Sequence, residues 1–348
     1  MKNRYFIGIA STFHEPAVAI VNQDGEVLFA QATERHTQYK RAMNCNPDTS
    51  SWAKYLLQTY CPDPDEVIIA TTWNRQFLQR MNWKSILGIF GIEHFLLKKF
   101  LRTVPSNISP IYQSTWVQKG LLSSNNHAGT GFVKTLNELY PKAKIKFRRY
   151  DHHLTHAALA CYGSPYEEGT CAIIDGSGEK GSYTYYSYEN NTISRLKEQR
   201  GVASLGYFYI MLTLLCGFDP DKGEQWKVMG LAPYGKRNDR AYFLLKSLYN
   251  LDSKGFRMNV MKWPALLKEL FTFSRKENES PLSVADLAYT GQIVFSEWID
   301  LLLKDAHKRG NSDNLIYSGG CALNSAYNGL IIERTPLPIV ICSFSARR

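Results

Sequence analysis

The stretch CAIIDGSGEKGSYTYYSYENNTISRLKEQ (171–199) decides the fold. A short apolar run ends in a Gly-containing turn, DGSG (175–178). An alternating run follows, SYTYYSYE (182–189), then a turn at ENN (189–191) and a further run, TISRLKEQ (192–199). Period-two alternation broken by Gly and Asn clusters predicts three strands joined by tight turns. The same order stands near the start of the chain. RYFIGIAS (4–11), a turn, AVAIVNQ (17–23), a QDG turn and EVLFAQATER (26–35) repeat it. Two copies of one meander make an internal duplication, and no short period points to a solenoid.

Between the copies the pattern is helical in TSSWAKYLLQTY (49–60) and GTGFVKTLNELY (129–140), with a strand signal at EVIIATT (66–72). After the second copy SLGYFYIMLTLLCGF (204–218) reads as a buried helix. LSVADLAYTGQIVFSEWIDLLLKDAHKRG (282–310) reads as a long amphipathic helix stopped by Gly310. NLIYSGGCALNSAYNGLII (314–332) then reads as strand, Gly turn and helix. Strands alternating with helices in two similar halves predict an α/β fold of two lobes, 1–150 and 151–348, with a nucleotide held in a cleft between them.

Bulk properties agree with a globular protein. The chain has 348 residues, 44% hydrophobic and 21% charged, enough for two domains. No apolar run reaches the roughly 18 residues of a membrane span, and the N-terminus lacks the basic start and cleavage site of a secretory signal. The 7 cysteines (45, 61, 161, 171, 216, 321 and 342) never stand as CxxC, so neither a disulfide framework nor a zinc knuckle is predicted and a cytoplasmic location is expected. The formal charge is +10, with basic runs at LLKKFLR (96–102) and KAKIKFRR (142–149). Such runs read first as solvated faces and second as contacts to an anion. No surface spacing of aromatics accompanies them, so nucleic acid is not an expected partner.

The chemistry-bearing residues cluster around the second copy. Of the 8 histidines, three fall in DHHLTH (151–156). His152 and His156 are four apart and share a helix face; with Asp175 at the end of a strand they form a candidate His/His/Asp site for iron, manganese or zinc. His153 points elsewhere. The plain reading is a helix start capped by Asp151 with locally satisfied histidines. Gly176, Ser177 and Gly178 let backbone amides approach an anion, although a simple hairpin turn has the same composition. Gly319 and Gly320, between a strand and a helix, repeat that logic for adenosine, without the GxGxxG of a dinucleotide fold. GEQWKVMGLAPYGK (223–236) sets Glu224 and Lys227 among glycines, a composition that suits ribose and phosphate contacts. His14 lies in the first copy where DGSGE lies in the second, which makes it a candidate general acid or base toward a hydroxyl.

Taken together, YFIGIASTFHEPAVAIV (5–21), ATERHTQYKR (32–41), DHHLTHAALACYGSP (151–165), AIIDGSGE (172–179), SLGYFYIMLTLLCGF, GEQWKVMGLAPYG and YSGGCALN (317–324) stand in an order that resembles the O-carbamoyltransferase family. That family serves nodulation factors, cephamycins and aminoglycosides. The resemblance covers its N-terminal domain, which is similar to tRNA threonylcarbamoyl transferase and has the actin-like ATPase (ASKHA) fold. It implies that carbamoyl phosphate and ATP form a carbamoyl-adenylate, whose carbamoyl group moves to the hydroxyl of a small-molecule natural product. It further implies that His152, His156 and Asp175 hold a divalent metal, Fe(II), with Mg as a further ion. His14 and Lys40 would be catalytic. Gly176, Ser177, Gly178, Glu224, Lys227, Gly319, Gly320 and Asn324 would line the nucleotide site.

Two departures qualify the match. The family's fourth metal ligand, an aspartate in a later Gly-Asp motif, has no counterpart before Arg348, and the C-terminal adenylate-forming domain is absent. Glu15 also stands where an aspartate is usual. The expectation is therefore a truncated or split carbamoyltransferase, with a separately encoded C-terminal domain as a partner. The alternatives are a non-catalytic nucleotide-binding remnant and an RNA-modifying threonylcarbamoyl transferase. Against the second, HHLTH lacks the Glu-Gly pair between its histidines, and IIDGSGE departs from its Ser-Gly-Gly-His pattern.

Overall fold

The first meander forms as its alternation predicts. In the computed structural model, which describes residues 3–11, 14–79, 124–252, 255–335 and 338–341, β1 (Arg4–Ala10), β2 (Ala17–Asn22) and β3 (Val27–Ala32) pair antiparallel, with Ile7 opposite Ile20. The third strand is shorter than its run of sequence. The Thr33 N–H still bonds to Pro16 O, but helix α1 (Thr33–Thr37) begins there, and the Glu34 carboxylate accepts the Arg41 N–H at 2.8 Å. Helix α2 (Ser50–Tyr60), β4 (Glu66–Thr72), α3 (Thr130–Leu139) and β5 (Lys144–Tyr150) follow, with β4 parallel to both β1 and β5. The sheet order is β3-β2-β1-β4-β5. Ile7, Ile20, Leu56, Ile69, Phe132 and Leu136 are fully buried between sheet and helices, each contributing roughly 1.5–3 kcal/mol by leaving water.

Most of the basic run at 142–149 lies in the edge strand β5. Lys146 pairs with Glu66 at 2.5 Å, and Arg149 donates to the Asn125 carbonyl at 2.9 Å. The other basic run, at 96–102, lies outside the described residues.

Helix α4 (His152–Tyr162) leads into the second meander, β6 (Gly169–Ile174), β7 (Tyr183–Glu189) and β8 (Thr192–Glu198). Then come α5 (Leu205–Leu215), α6 (Gln225–Leu231), α7 (Asp239–Lys246), a hairpin β9 (Tyr249–Asp252) and β10 (Gly255–Met258), and α8 (Trp263–Leu270). Helix α9 (Ala285–Arg309) stops at Gly310 as the sequence predicts, though residues 281–284 are a 3-10 turn. The last described elements are β11 (Leu315–Ser318), the short helices α10 (Ser325–Asn328) and α11 (Ile331–Arg334), and β12 (Ile339–Ile341).

The second sheet is ordered β12-β11-β6-β7-β8. Read from β8, this is the first sheet again, strand for strand. Each has three antiparallel meander strands, two parallel strands beyond the first of them, and a register shift between the second and third. That duplication is the α/β architecture of two similar halves that the repeated meander predicts. Every residue of β6 is buried, with Ala172 and Ile174 against the α5/α9 core and Cys171 and Ile173 against Ala157 and Cys161 of α4. A strand covered on both faces reads as a continuous apolar run, which is what CAII is. The chain divides into two compact units, Met1–His152 and His153–Arg348.

Candidate metal and ligand site

Helix α4 places its histidines by spacing alone. His152 and His156, one turn apart, fall on one side. His153, a further 100° round, is buried. The ligand-capable atoms of His152, His156 and Asp175 all lie within 4.8 Å of one another. His156 Nε2 is 3.8 Å from Asp175 Oδ2. Asp175 is the first residue after the buried strand β6, so its backbone is fixed by the Asp175 N–H bond to Ser182 O, 2.7 Å. Its other carboxylate oxygen, Oδ1, accepts the Gly320 N–H at 2.9 Å. One oxygen is thus held by the scaffold and the other faces the imidazole. Orienting a ligand in this way is what a metal site needs.

These donors fit a divalent transition metal. Bonds of about 2.0–2.2 Å from imidazole nitrogen and carboxylate oxygen converge on one point after a small side-chain adjustment. Two imidazoles with one carboxylate suit iron, manganese or zinc.

The Gly-rich turn after Asp175 is a close-packing device. A Cβ on Gly178 would stand 2.7 Å from the His153 ring, and His153 Nδ1 is hydrogen-bonded to Thr184 Oγ1 at 2.8 Å. The middle histidine therefore clamps the turn. Ser204, the N-cap of α5, donates its hydroxyl to Gly176 O at 2.7 Å and accepts from the Tyr207 N–H. A Cβ on Gly206 would lie 2.5 Å from Gly176 Cα. The Tyr207 side chain is 52% exposed and interacts with the Ser177 side chain. Tyr207 and Ser204 are residues beside the site that spacing did not reveal; their signal is a capping serine, common elsewhere.

His14 stands in the β1–β2 turn, the counterpart of the β6–β7 turn that carries Asp175, with Nδ1 3.3 Å from Glu15 Oε2. Glu15 is tied to Arg41, through its N–H to Arg41 O at 2.7 Å and its carboxylate to the guanidinium at 3.5 Å. Lys40, which begins the 3-10 turn Lys40–Ala42, is held close to the His14 turn by that link. Glu224 and Lys227 pair with each other at 2.6 Å. The Asp219 backbone N–H, and then Lys227, hold the Glu224 carboxyl below its usual range. Gly319 (φ 97°) packs against Ile174 O, while Gly320 serves Asp175. Asn324 is buried, caps α10 by accepting the Tyr327 N–H, and exchanges hydrogen bonds with Gln292. Its amide has a structural task.

No helix of the described residues is long and apolar enough to cross a membrane. The model of the carbamoyltransferase N-terminus matches residues 5–343. An uncharacterised Synechocystis protein is 27% identical over 346 residues, covering 94% of this chain and 52% of that one. Nodulation protein NolO of Bradyrhizobium diazoefficiens is 32% identical over 186 residues, 52% of this chain and 33% of that one. The chain thus spans about half or less of these relatives' length. Among solved structures, HypF of T. kodakarensis aligns over 99% of this chain and 45% of its own at 12% identity, with a TM-score of 0.47. With the family model matched almost end to end, the chain belongs to the carbamoyltransferase family through that family's N-terminal region.

Proposed function

We propose that the chain performs the acceptor step of an O-carbamoyl transfer, moving a carbamoyl group from carbamoyl-adenylate to the hydroxyl of a small-molecule acceptor. The convergence of His152, His156 and Asp175 within 4.8 Å, with Asp175 Oδ1 held by Gly320, is the observation that carries the reading. An ordinary helix start has no use for that arrangement.

His14 takes the proton of the acceptor hydroxyl, and Glu15 beside it orients the ring. The acceptor oxygen bonds to the carbamoyl carbon, the bond from that carbon to the phosphate oxygen breaks, and AMP leaves with the electron pair. Lys40 faces the negative charge that grows on the leaving phosphate. Glu224 and Lys227 contact ribose and phosphate. His152, His156 and Asp175 would hold a divalent metal, Fe(II) in this proposal, which supplies electrostatic stabilisation to the phosphate when bound. The adenylate itself comes from carbamoyl phosphate and ATP, a reaction this proposal assigns to a further domain or a separately encoded partner.

The test supplies synthetic carbamoyl-adenylate and a panel of polyol and sugar acceptors to the purified chain loaded with Fe(II). Carbamate ester and AMP in equal amounts, lost in His14→Ala, are expected. Tight adenylate binding with AMP release equal in wild type and H14A would leave only a nucleotide-binding role.

A further inference from the structure

We infer that Trp73 is a positioning residue for the His152 imidazole, fixing the plane in which that ring meets a divalent cation. The inference rests on the metal reading of His152, His156 and Asp175 and adds to it the residue that sets one ligand's orientation.

Three observations converge on Trp73. Its indole lies flat on the His152 ring, centroids 4.6 Å apart and planes within 2°. The ring of Phe77 stacks on Trp73 too, centroids 5.1 Å apart, and Phe77 is itself placed by the bond from its N–H to Asn74 Oδ1 at 2.9 Å. Second, Trp73 adopts φ 65°. A bulky side chain rarely takes a left-handed backbone, and such strain persists only where the surroundings impose it. Trp73 is the first residue after β4, so an extended φ there would have continued the strand; the left-handed turn departs from it. Third, the indole is 3% exposed, and its Nε1–H has no acceptor among the described residues. A buried donor left unmade costs stability. A core position that needed only bulk would be served by Phe or Leu without that cost. The conformation and the buried N–H are thus borne where an aromatic plane meets a candidate metal ligand.

Stacking has a defined consequence for ligation. Imidazole donates to a metal in its own ring plane, so a ring free to rotate about χ2 spends entropy on each binding event. A ring laid on a buried indole has already lost that freedom. Trp73 therefore raises affinity without touching the cation.

The experiment titrates the purified chain with Co(II) alone, reading the visible ligand-field band and tryptophan emission, for wild type, Trp73→Phe, Trp73→Leu and His156→Ala. Phe keeps a stacking ring and Leu removes it. W73L is expected to weaken Co(II) by roughly ten-fold or more and to alter the band, W73F to stay within about three-fold, and H156A to lose the site. Equal Co(II) affinity and an identical band in wild type and W73L overturn the inference while leaving the metal site standing. Wild type binding no better than H156A removes the metal reading itself. The emission supplies a readout that needs no folded W73L. Co(II) should quench a component, one of 7 tryptophans, that is missing in W73F. Saturation of the site without loss of that component overturns the stacked geometry.

Discussion

The backbone N–H of Gly320 reaches the Asp175 carboxylate at 2.9 Å across 145 residues of sequence. It joins the end of β11 to the end of β6, two parallel strands with Tyr317 opposite Ala172. The two glycines of SGG have different tasks. A Cβ at Gly320 would stand 2.5 Å from Asp175 Oδ1, an atom at the end of a side chain that can move aside. A Cβ at Gly319 would stand 2.4 Å from the Ile174 carbonyl, backbone of a fully buried strand, at φ 97°. Gly320→Ala should therefore fold normally but bind Co(II) about 10–100-fold more weakly, the range for lost support of a metal ligand. Gly319→Ala should lower stability by about 2 kcal/mol or more. Co(II) titration and urea unfolding of both variants separate the two roles, and the reverse assignment would refute this account.

The duplication was legible because period two survives in both meanders, and Gly310 ended α9 where its pattern ran out. The hairpin Tyr249–Met258 was not read, since YNLD and GFRM are too short to show alternation. EVLFAQATER looked like one strand because nothing local announces that Glu34 turns back to cap the Arg41 amide. Within the candidate site, i and i+4 spacing was enough to pair His152 with His156. The glycines at 178 and 320 read as anion cradles, and in the fold each also makes room for a neighbour: the His153 ring and the Asp175 carboxylate. Close approach between distant segments leaves no periodic trace.

His153 should behave unlike the histidines on either side of it. It is 4% exposed, bonded to Thr184 Oγ1, and it fills the space over Gly178. His153→Ala removes a buried ring and leaves Thr184 without its partner, which should cost about 2–4 kcal/mol. His156→Ala, at a partly exposed position, should cost under about 0.5 kcal/mol in the metal-free protein while abolishing Co(II) binding. Urea midpoints measured without metal should rank H153A far below H156A. Equal midpoints would mean that the turn needs no clamp.

Lys227 gives a test of the nucleotide site that stability does not confound. Its ammonium is paired with Glu224 at 2.6 Å, with side chains 35% and 20% exposed, and pairs this accessible contribute about 0–1 kcal/mol. Lys227→Ala should leave the melting temperature within a few degrees and weaken AMP binding by roughly ten-fold, as loss of one charged phosphate contact does. Unchanged AMP affinity would place the nucleotide elsewhere.

Asp48 should make the first unit weaker as pH rises. Its carboxyl is fully buried, and Oδ2 accepts the N–H groups of Gly131 and Phe132 at 2.7 and 3.2 Å, an N-cap supplied to α3 from outside the helix. Burial pushes its pKa from 3.8 up to about 6, against the lowering effect of those two bonds. The folded state then holds the proton more tightly than the unfolded state. Between about pH 4 and pH 6 the native form binds more protons, so stability falls as pH rises through that window and is level above it. A shift of that size is worth up to about 3 kcal/mol. Asp48→Asn keeps an acceptor for both amides and cannot ionise. It should gain about 1–3 kcal/mol at pH 8, nothing near pH 4, and lose the slope between. Urea unfolding of both proteins at pH 4.5, 6 and 8 checks this directly, and a gain at pH 8 no larger than at pH 4.5 would show that the helix amides keep Asp48 ionised throughout.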